Sequence, residues 1–460
     1  MLFSRQREFL RAGFEKLGMT TCCEKSKYFG PFAPEDAIKN AGLSAAGLSF
    51  KLLGGYIGDP EDCHRRLLED FAKYDYLFEQ LILLPKHVAF SLLRTCGPVC
   101  AVYAARIHPP QVSIGALQRF EAGILQCLRS LLHVQDVEAV SRAQIHLPVA
   151  DGGFGLLHLV RSAEFLHKAS LMDVGTAAAG NQQMLMKQLD IGIKQDLYNI
   201  SPATAARLRS CSGRLCWLTS HKYTLADWEW CIAAKMRLGL PPVDLSECQC
   251  SCGDLVPKDK LLDHWACCRR VSGITKVHRH NTVSSTLLAE IRRLGFCAIP
   301  SPSGYHMDSA KNPDLLVTFH TGELHSLDVS IIHPTATSYV IAAGAQTGVT
   351  CKKQEDAKTR KHGEAAKMLG HAFSPFVLET YGWCGGFADN FLKSIAVASG
   401  VHGAYRDLRE KVAVAVQKGN ALLARHGVEL TRRAAARVPS DHAPCLAVTK
   451  CQQFKNFRLR

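Results

Sequence analysis

A chain of 460 residues, 47% hydrophobic and 21% charged, is long enough for roughly two to four domains with their own cores, and this composition excludes a disordered chain. Its 55 basic against 41 acidic residues leave a formal charge of +14, which favours a polyanionic partner such as DNA or RNA. Nineteen cysteines, an odd number standing mostly singly among apolar residues and without a secretory signal in MLFSRQREFLRAGFEK, point to reduced thiols rather than a disulfide framework. The closest approach to a membrane span, around Leu81 to Ala105, is interrupted by Pro85, Lys86, His87, Arg94 and Pro98, so no membrane partner is expected.

In chain order, the first sixty residues read as a helix ending before Gly18, a short strand, and a glycine turn between strands at KLLGGYIG (Lys51 to Gly58). Residues 61–240 read as helices. Phe71, Tyr74, Phe78 and Leu81 fall on one helical face, and Leu117, Phe120, Ile124, Leu128 and Leu131 on another, as core stripes. Lys86, Arg94, Arg106, Arg119 and Arg129 are cations of this region that can meet a nucleic-acid backbone, although charges along helices are usually the solvated side. Asp151-Gly152-Gly153-Phe154-Gly155 is a loop before a helix at about 157–172. It is not a phosphate loop, because it lacks the preceding strand and the following Lys-Ser/Thr.

CSCGDLVPKDKLLDHWACC follows. Cys250, Cys252, His264 and Cys268 have the spacing of a Cys₃His zinc site, with Cys248 and Cys267 as alternate ligands. Arg279-His280-Asn281 is expected to open a helix running to about Leu294, with His280 available to DNA or to a catalytic acid, and Glu290 as a third acid for a metal shell. DLLVTF (Asp314 to Phe319) and LHSLDVSII (Leu324 to Ile332) read as a β-hairpin. A three-residue loop, His320-Thr321-Gly322, gives Gly322 the left-handed position, sets Phe319 against Glu323, and brings Asp314 across from Asp328 on one face, whereas a two-residue loop would put them on opposite faces. Two facing carboxylates repel unless a cation lies between them, so the pair calls for a divalent metal such as Mg²⁺. In the helix Glu355 to Leu369, Lys358 and Lys361 fall on one side, where either can reach a phosphate. Helices at FADNFLKSIAVAS and about Tyr405 to Leu423 should pack on this core, ahead of a basic tail from ELTRRAAARV onward.

CSCG, DHWACC, Arg279-His280-Asn281, Pro313-Asp314, Leu327-Asp328-Val329-Ser330, Lys358, Lys361-His362 and PFVLETYG together resemble the restriction-like endonuclease at the C-terminus of site-specific non-LTR retrotransposon polyproteins, a branch of the PD-(D/E)xK nucleases. KLLGGYIG resembles the turn from reverse-transcriptase palm to thumb in the same polyproteins. LLRTCGPVCAVYAARIHPP, LPVADGGFGLLHL and MRLGLPP resemble their thumb and linker. The resemblance implies a multidomain α and α/β fold: a palm remnant over 1–60, a mostly helical thumb and linker over 61–240, a zinc knuckle over 245–275, a restriction-endonuclease-like core with a mixed sheet over 276–400, and a C-terminal helix with a basic tail over 401–460. It implies Asp314, Asp328, Lys358 and Lys361 as catalytic residues, with Arg279, His280 and His362 in DNA binding or catalytic support, and Mg²⁺ or Mn²⁺ and Zn²⁺ as cofactors. Where ordinary members carry a lysine two residues after the second acid, this chain has Ser330, and the retrotransposon branch supplies lysine from the next helix. The partners implied are DNA and an RNA template, with action in the nucleus, otherwise the cytoplasm. The polymerase YxDD box falls before Met1 in this likeness, so the polypeptide alone is expected not to polymerise DNA. The alternative is a zinc-containing, catalytically silent nucleic-acid-binding remnant.

Overall fold

The computed structural model describes residues 47–173, 180–213, 216–242, 247–302 and 312–435, together with scattered positions before residue 46. The expected palm remnant therefore lies largely outside the described residues, as does the tail over 436–460. Helices dominate, with small sheets between them. The chain divides into two compact units that do not follow chain order. One comprises Met1–Leu84, Ala89–Ser130 and Leu157–Leu189, and the other Pro85–Val88, Leu131–Leu156 and Asp190–Arg460. The stretch read as one helical region, 61–240, is thus shared between them. The apolar run Lys86–Ile107 passes for a membrane span by length and composition, but it folds as two helices, Lys86–Cys96 and Val99–Ile107, parted at Gly97-Pro98.

In the first unit, Ser49–Leu52 and Gly55–Gly58 pair antiparallel. Their two-residue turn has positive φ at both Leu53 (48°) and Gly54 (87°), the geometry whose twist matches a tight hairpin. The expected apolar stripes meet in this unit: Phe71, Phe78 and Tyr74 surround Phe120 at ring-centroid distances of 4.9, 5.5 and 5.4 Å.

The second unit is built on α1 (Asp227–Leu238), the hairpin β1 (Glu247–Gln249) and β2 (Leu255–Pro257), α2 (Leu261–Cys267), α3 (Arg269–Arg293), β3 (Cys297–Pro300), β4 (Leu315–Thr318), β5 (Leu324–Ile332), α4 (Val349–Met368), β6 (Ala372–Glu379), α5 (Gly386–Ser399) and α6 (Ala404–Ala435). The sheet order is β6-β5-β4-β3, parallel only between β6 and β5. Its core joins Val283, Leu287 and Ile291 of α3 to Leu315, Val317, Leu327 and Val329 of the hairpin, Phe376 of β6, Leu392 of α5, and Leu408 and Val412 of α6. The helices expected to cover this core do so. α6 runs on through the ELTRRAA segment read as tail, because Leu423, Ala424 and Val428 continue its apolar stripe against Trp265 and Val271.

Two features hold this unit together without being apolar. The buried Arg237 guanidinium donates to the carbonyls of Val149 (2.9 Å), Gly153 (3.0 Å) and Cys211 (3.0 Å), which closes the Gly152-Gly153 loop by hydrogen bonding rather than around a ligand. Glycines 419 and 427 let α6 lie close to its neighbours: a Cβ there would stand 2.4 Å from Arg279 Cγ and 2.3 Å from Trp265 Cδ2. Overpacking costs about 1–3 kcal/mol. Gly427→Leu should therefore lower the unfolding free energy of this unit, read from urea denaturation, by an amount in that range, whereas Gly386→Leu, where nothing lies within 4 Å, should cost less.

Candidate active site and metal centre

Loop length fixes the β4–β5 register. Leu315 pairs with Leu327 and Thr318 with Leu324, Phe319 N–H donates to Glu323 O at 2.9 Å, and Gly322 takes φ 87°. The paired register ends at Leu315–Leu327, and just beyond it the Asp314 carboxyl comes within interaction range of Asp328. Asp314 stands just before β4. Its N–H donates to Leu327 O at 2.8 Å, and its Oδ2 accepts from Val329 N–H at 2.7 Å and faces His280 Nε2 at 2.9 Å. The carboxylate thus takes a strand N–H that the ladder, ending at Leu315, leaves unpaired.

Asp328 is served from the other side by α4. Lys358 Nζ lies 2.7 Å from Asp328 Oδ2, and His362 Nε2 lies 3.4 Å from the same atom. Lys358 and His362 are four residues apart, so they share the helix face turned to the sheet. One turn earlier on that face, Gln354 Nε2 donates to Ser330 Oγ at 3.4 Å. The hydrogen bond to Asp314 raises the His280 pKa against the opposing effect of burial, helped by both carboxylate charges. Burial pushes the Asp314 carboxyl up, but the His280 bond and charge, Val329 N–H and the contact with Asp328 hold it below the usual range.

The second centre lies at the start of α3. Cys250, Cys252, His264 and Cys268 point their ligand atoms at one another within 4.8 Å, with Cys250 Sγ 3.9 Å from Cys268 Sγ and Cys252 Sγ 3.4 Å from His264 Nε2. A tetrahedral zinc with sulfur at about 2.3 Å and nitrogen at about 2.0–2.1 Å has ligand-to-ligand edges of roughly 3.5–3.8 Å. Those two separations lie close to such edges, and the four residues can hold a metal such as zinc. Cys268 caps α3. Burial works against its thiolate, yet the N–H groups of Val271 and Arg270 bring the pKa down. The alternates separate from the set: Cys248 Sγ bonds Thr431 Oγ1 at 3.6 Å, and Cys267 is exposed.

Several expected residues fall elsewhere. Arg279-His280-Asn281 does not open a helix but sits inside α3, which starts at Arg269 directly after the last cysteine. Arg279 is 2% exposed and gives Nη1 to Asn420 Oδ1 at 2.9 Å, so it braces α3 against α6 and is not offered to DNA. Glu290 is not in the acid cluster; Arg293 at 2.7 Å and Lys411 hold it. Lys361 is exposed, and the partner of Lys358 on the acid side is His362. The sequence reading passed over the Val329 N–H, a main-chain donor that no side-chain pattern announces.

No family model matches the chain. Its likeness is to retrotransposon proteins as a class. Specifically, it is similar to the retrotransposable element SLACS 132 kDa protein of Trypanosoma brucei gambiense, with 23% identity over 366 residues that cover 75% of this chain and 29% of that protein. The chain therefore spans less than a third of the relative's length.

Two outcomes follow from this geometry. Elemental analysis should find one equivalent of zinc, lost together with part of the folding stability in Cys268→Ala, since metal affinity at such a site is folding free energy. The His280–Asp314 pair should be pH-dependent in a defined sense. The raised imidazole contributes fully below the free-histidine pKa and fades as pH rises through its folded value, while the depressed carboxyl keeps its share until pH falls through its own. An NMR titration should place the His280 midpoint above that of free histidine and return it to or below that value in Asp314→Asn.

Proposed function

We propose that the second unit is a metal-dependent DNA endonuclease of retrotransposon origin, which hydrolyses a phosphodiester of one strand and thereby exposes a 3′ end for priming reverse transcription. The observation that carries the reading is the facing of Asp314 and Asp328 with Lys358 beside them. The donor set suits magnesium, since it consists of hard carboxylate oxygens and the bonds described to each acid fall on Oδ2. Bound there, the ion would polarise a phosphate oxygen and acidify a water. Lys358 turns its ammonium to a phosphate oxygen and to the attacking water, His362 holds Asp328 in place, and His280 and Val329 N–H hold Asp314. Arg279 plays no part in DNA contact on this reading. The partners are DNA and an RNA template, and the site of action is the nucleus.

The test is supercoiled plasmid with Mg²⁺. Asp314→Ala and Asp328→Ala should each lower nicking by about 10³-fold or more, and Lys358→Met by about 10²–10⁴-fold, the range for a positioned proton-transfer or charge-stabilising group. Lys361→Ala should change the rate by no more than about 3-fold, as for an exposed cation. Intact protein that shifts plasmid on a gel and leaves it supercoiled would instead establish a silent binding remnant.

A further inference from the structure

The acid pair and the Cys/His centre are joined by one carboxylate that neither uses as a ligand. Asp263 precedes the cluster residue His264 in α2. Its Oδ1 accepts from Tyr381 Oη at 2.7 Å and Thr335 Oγ1 at 2.9 Å, and faces His333 Nε2 at 3.0 Å. Thr335 Oγ1 also lies 2.7 Å from His333 Nε2, and the His333 and Tyr381 rings are 5.6 Å apart. His333 follows directly on β5, which ends at Ile332, and Tyr381 comes two residues after β6, which ends at Glu379. Both are buried, at 6% exposure each, so water is a poor substitute for the acceptor they share. β5 is the strand to which both acids answer: it contains Asp328, supplies Leu327 O to the Asp314 N–H, and supplies the Val329 N–H to the Asp314 carboxylate.

The same cluster reaches the pair a second way. Cys268 caps α3, and His280 stands twelve residues along that rod, about 18 Å at 1.5 Å per residue. The metal centre therefore fixes one end of the helix that orients Asp314, while its neighbour Asp263 fixes the end of β5, which carries Asp328, and the end of its neighbour β6.

We propose that Asp263 is a positioning residue through which the Cys250, Cys252, His264 and Cys268 centre sets the separation of Asp314 and Asp328, and so their affinity for a divalent cation. The proposal rests on the endonuclease reading. A misplacement of order 1 Å costs about 10²-fold in a catalytic rate, so a change confined to Asp263, remote from the reacting atoms, should be visible.

The experiment uses the zinc-loaded full chain and its Asp263→Leu and Asp263→Asn variants. Four readouts apply: zinc content, plasmid affinity, Mn²⁺ binding followed by electron paramagnetic resonance, and single-turnover nicking. Asp263→Leu should keep its zinc and its plasmid affinity but lose about 10-fold or more in both Mn²⁺ affinity and nicking rate, while Asp263→Asn, which keeps an oxygen acceptor, should recover most of both. Where Asp263→Leu does not fold, Thr335→Val with Tyr381→Phe removes two of the donors and should reproduce the loss. Mn²⁺ affinity and nicking unchanged in these variants would overturn the proposal, as would a loss that tracks zinc release equally in the Leu and Asn forms. Wild-type protein that binds no Mn²⁺ at Asp314 and Asp328 would overturn the endonuclease reading itself, and the positioning role with it.

Discussion

Two carboxylates facing each other across a hairpin are the constraint around which the second unit is arranged. Left alone, a partly buried like-charge pair drives one member to take up a proton. Here each acid is answered from a different helix: Asp314 by His280 of α3 and by Val329 N–H, Asp328 by Lys358 and His362 of α4. Fixed groups thus face both acids, and β5, which carries Asp328, also delivers the N–H that the Asp314 carboxylate takes. A slip of one residue would turn Asp314 away from Asp328 and put Leu315 and Leu327 on the wrong face, so the hydrophobic core and the acid pair specify the same alignment.

That alignment is protected by packing remote from it. α3 and α6 run together along the sheet, brought close by Gly419 against Arg279, while Gly427 brings α6 close to Trp265 of α2. Between them the buried Arg279 donates to Asn420, whose Nδ2 donates to Thr380 O at 2.7 Å at the end of β6. A buried guanidinium answered by an amide rather than a carboxylate has its pKa brought down by burial to about 10. Its strand and helix partners are ordered as the condition for burying it. The side chain beside His280 therefore contributes rigidity to the acid site rather than a contact to substrate.

What the sequence revealed and what it concealed divide along physical lines. The hairpin was legible because a three-residue loop with glycine in the left-handed position admits one register, and the four metal-type ligands were legible because their spacing closes on a single point. The start of α3 was hidden because its buried stripe begins with Ser272, Thr275 and Arg279 before it becomes apolar at Val283, Leu287 and Ile291, so apolar periodicity alone finds only the second half. Choosing between Lys361 and His362 required knowing which way α4 turns, since positions three and four residues from Lys358 diverge by one helical step. The closing of the Gly152-Gly153 loop by Arg237, which reaches back to Val149 and Gly153, rests on contacts more than eighty residues apart that no local pattern encodes.

The account makes the acid pair a cation site held between α3 and α4 and braced by a zinc-type centre at the head of α3. Anomalous diffraction from crystals soaked in Mn²⁺ tests that claim most directly. The account predicts a peak bridging the carboxylates of Asp314 and Asp328. A map with no peak there, at Mn²⁺ concentrations that load other carboxylate sites of the same crystal, would contradict it.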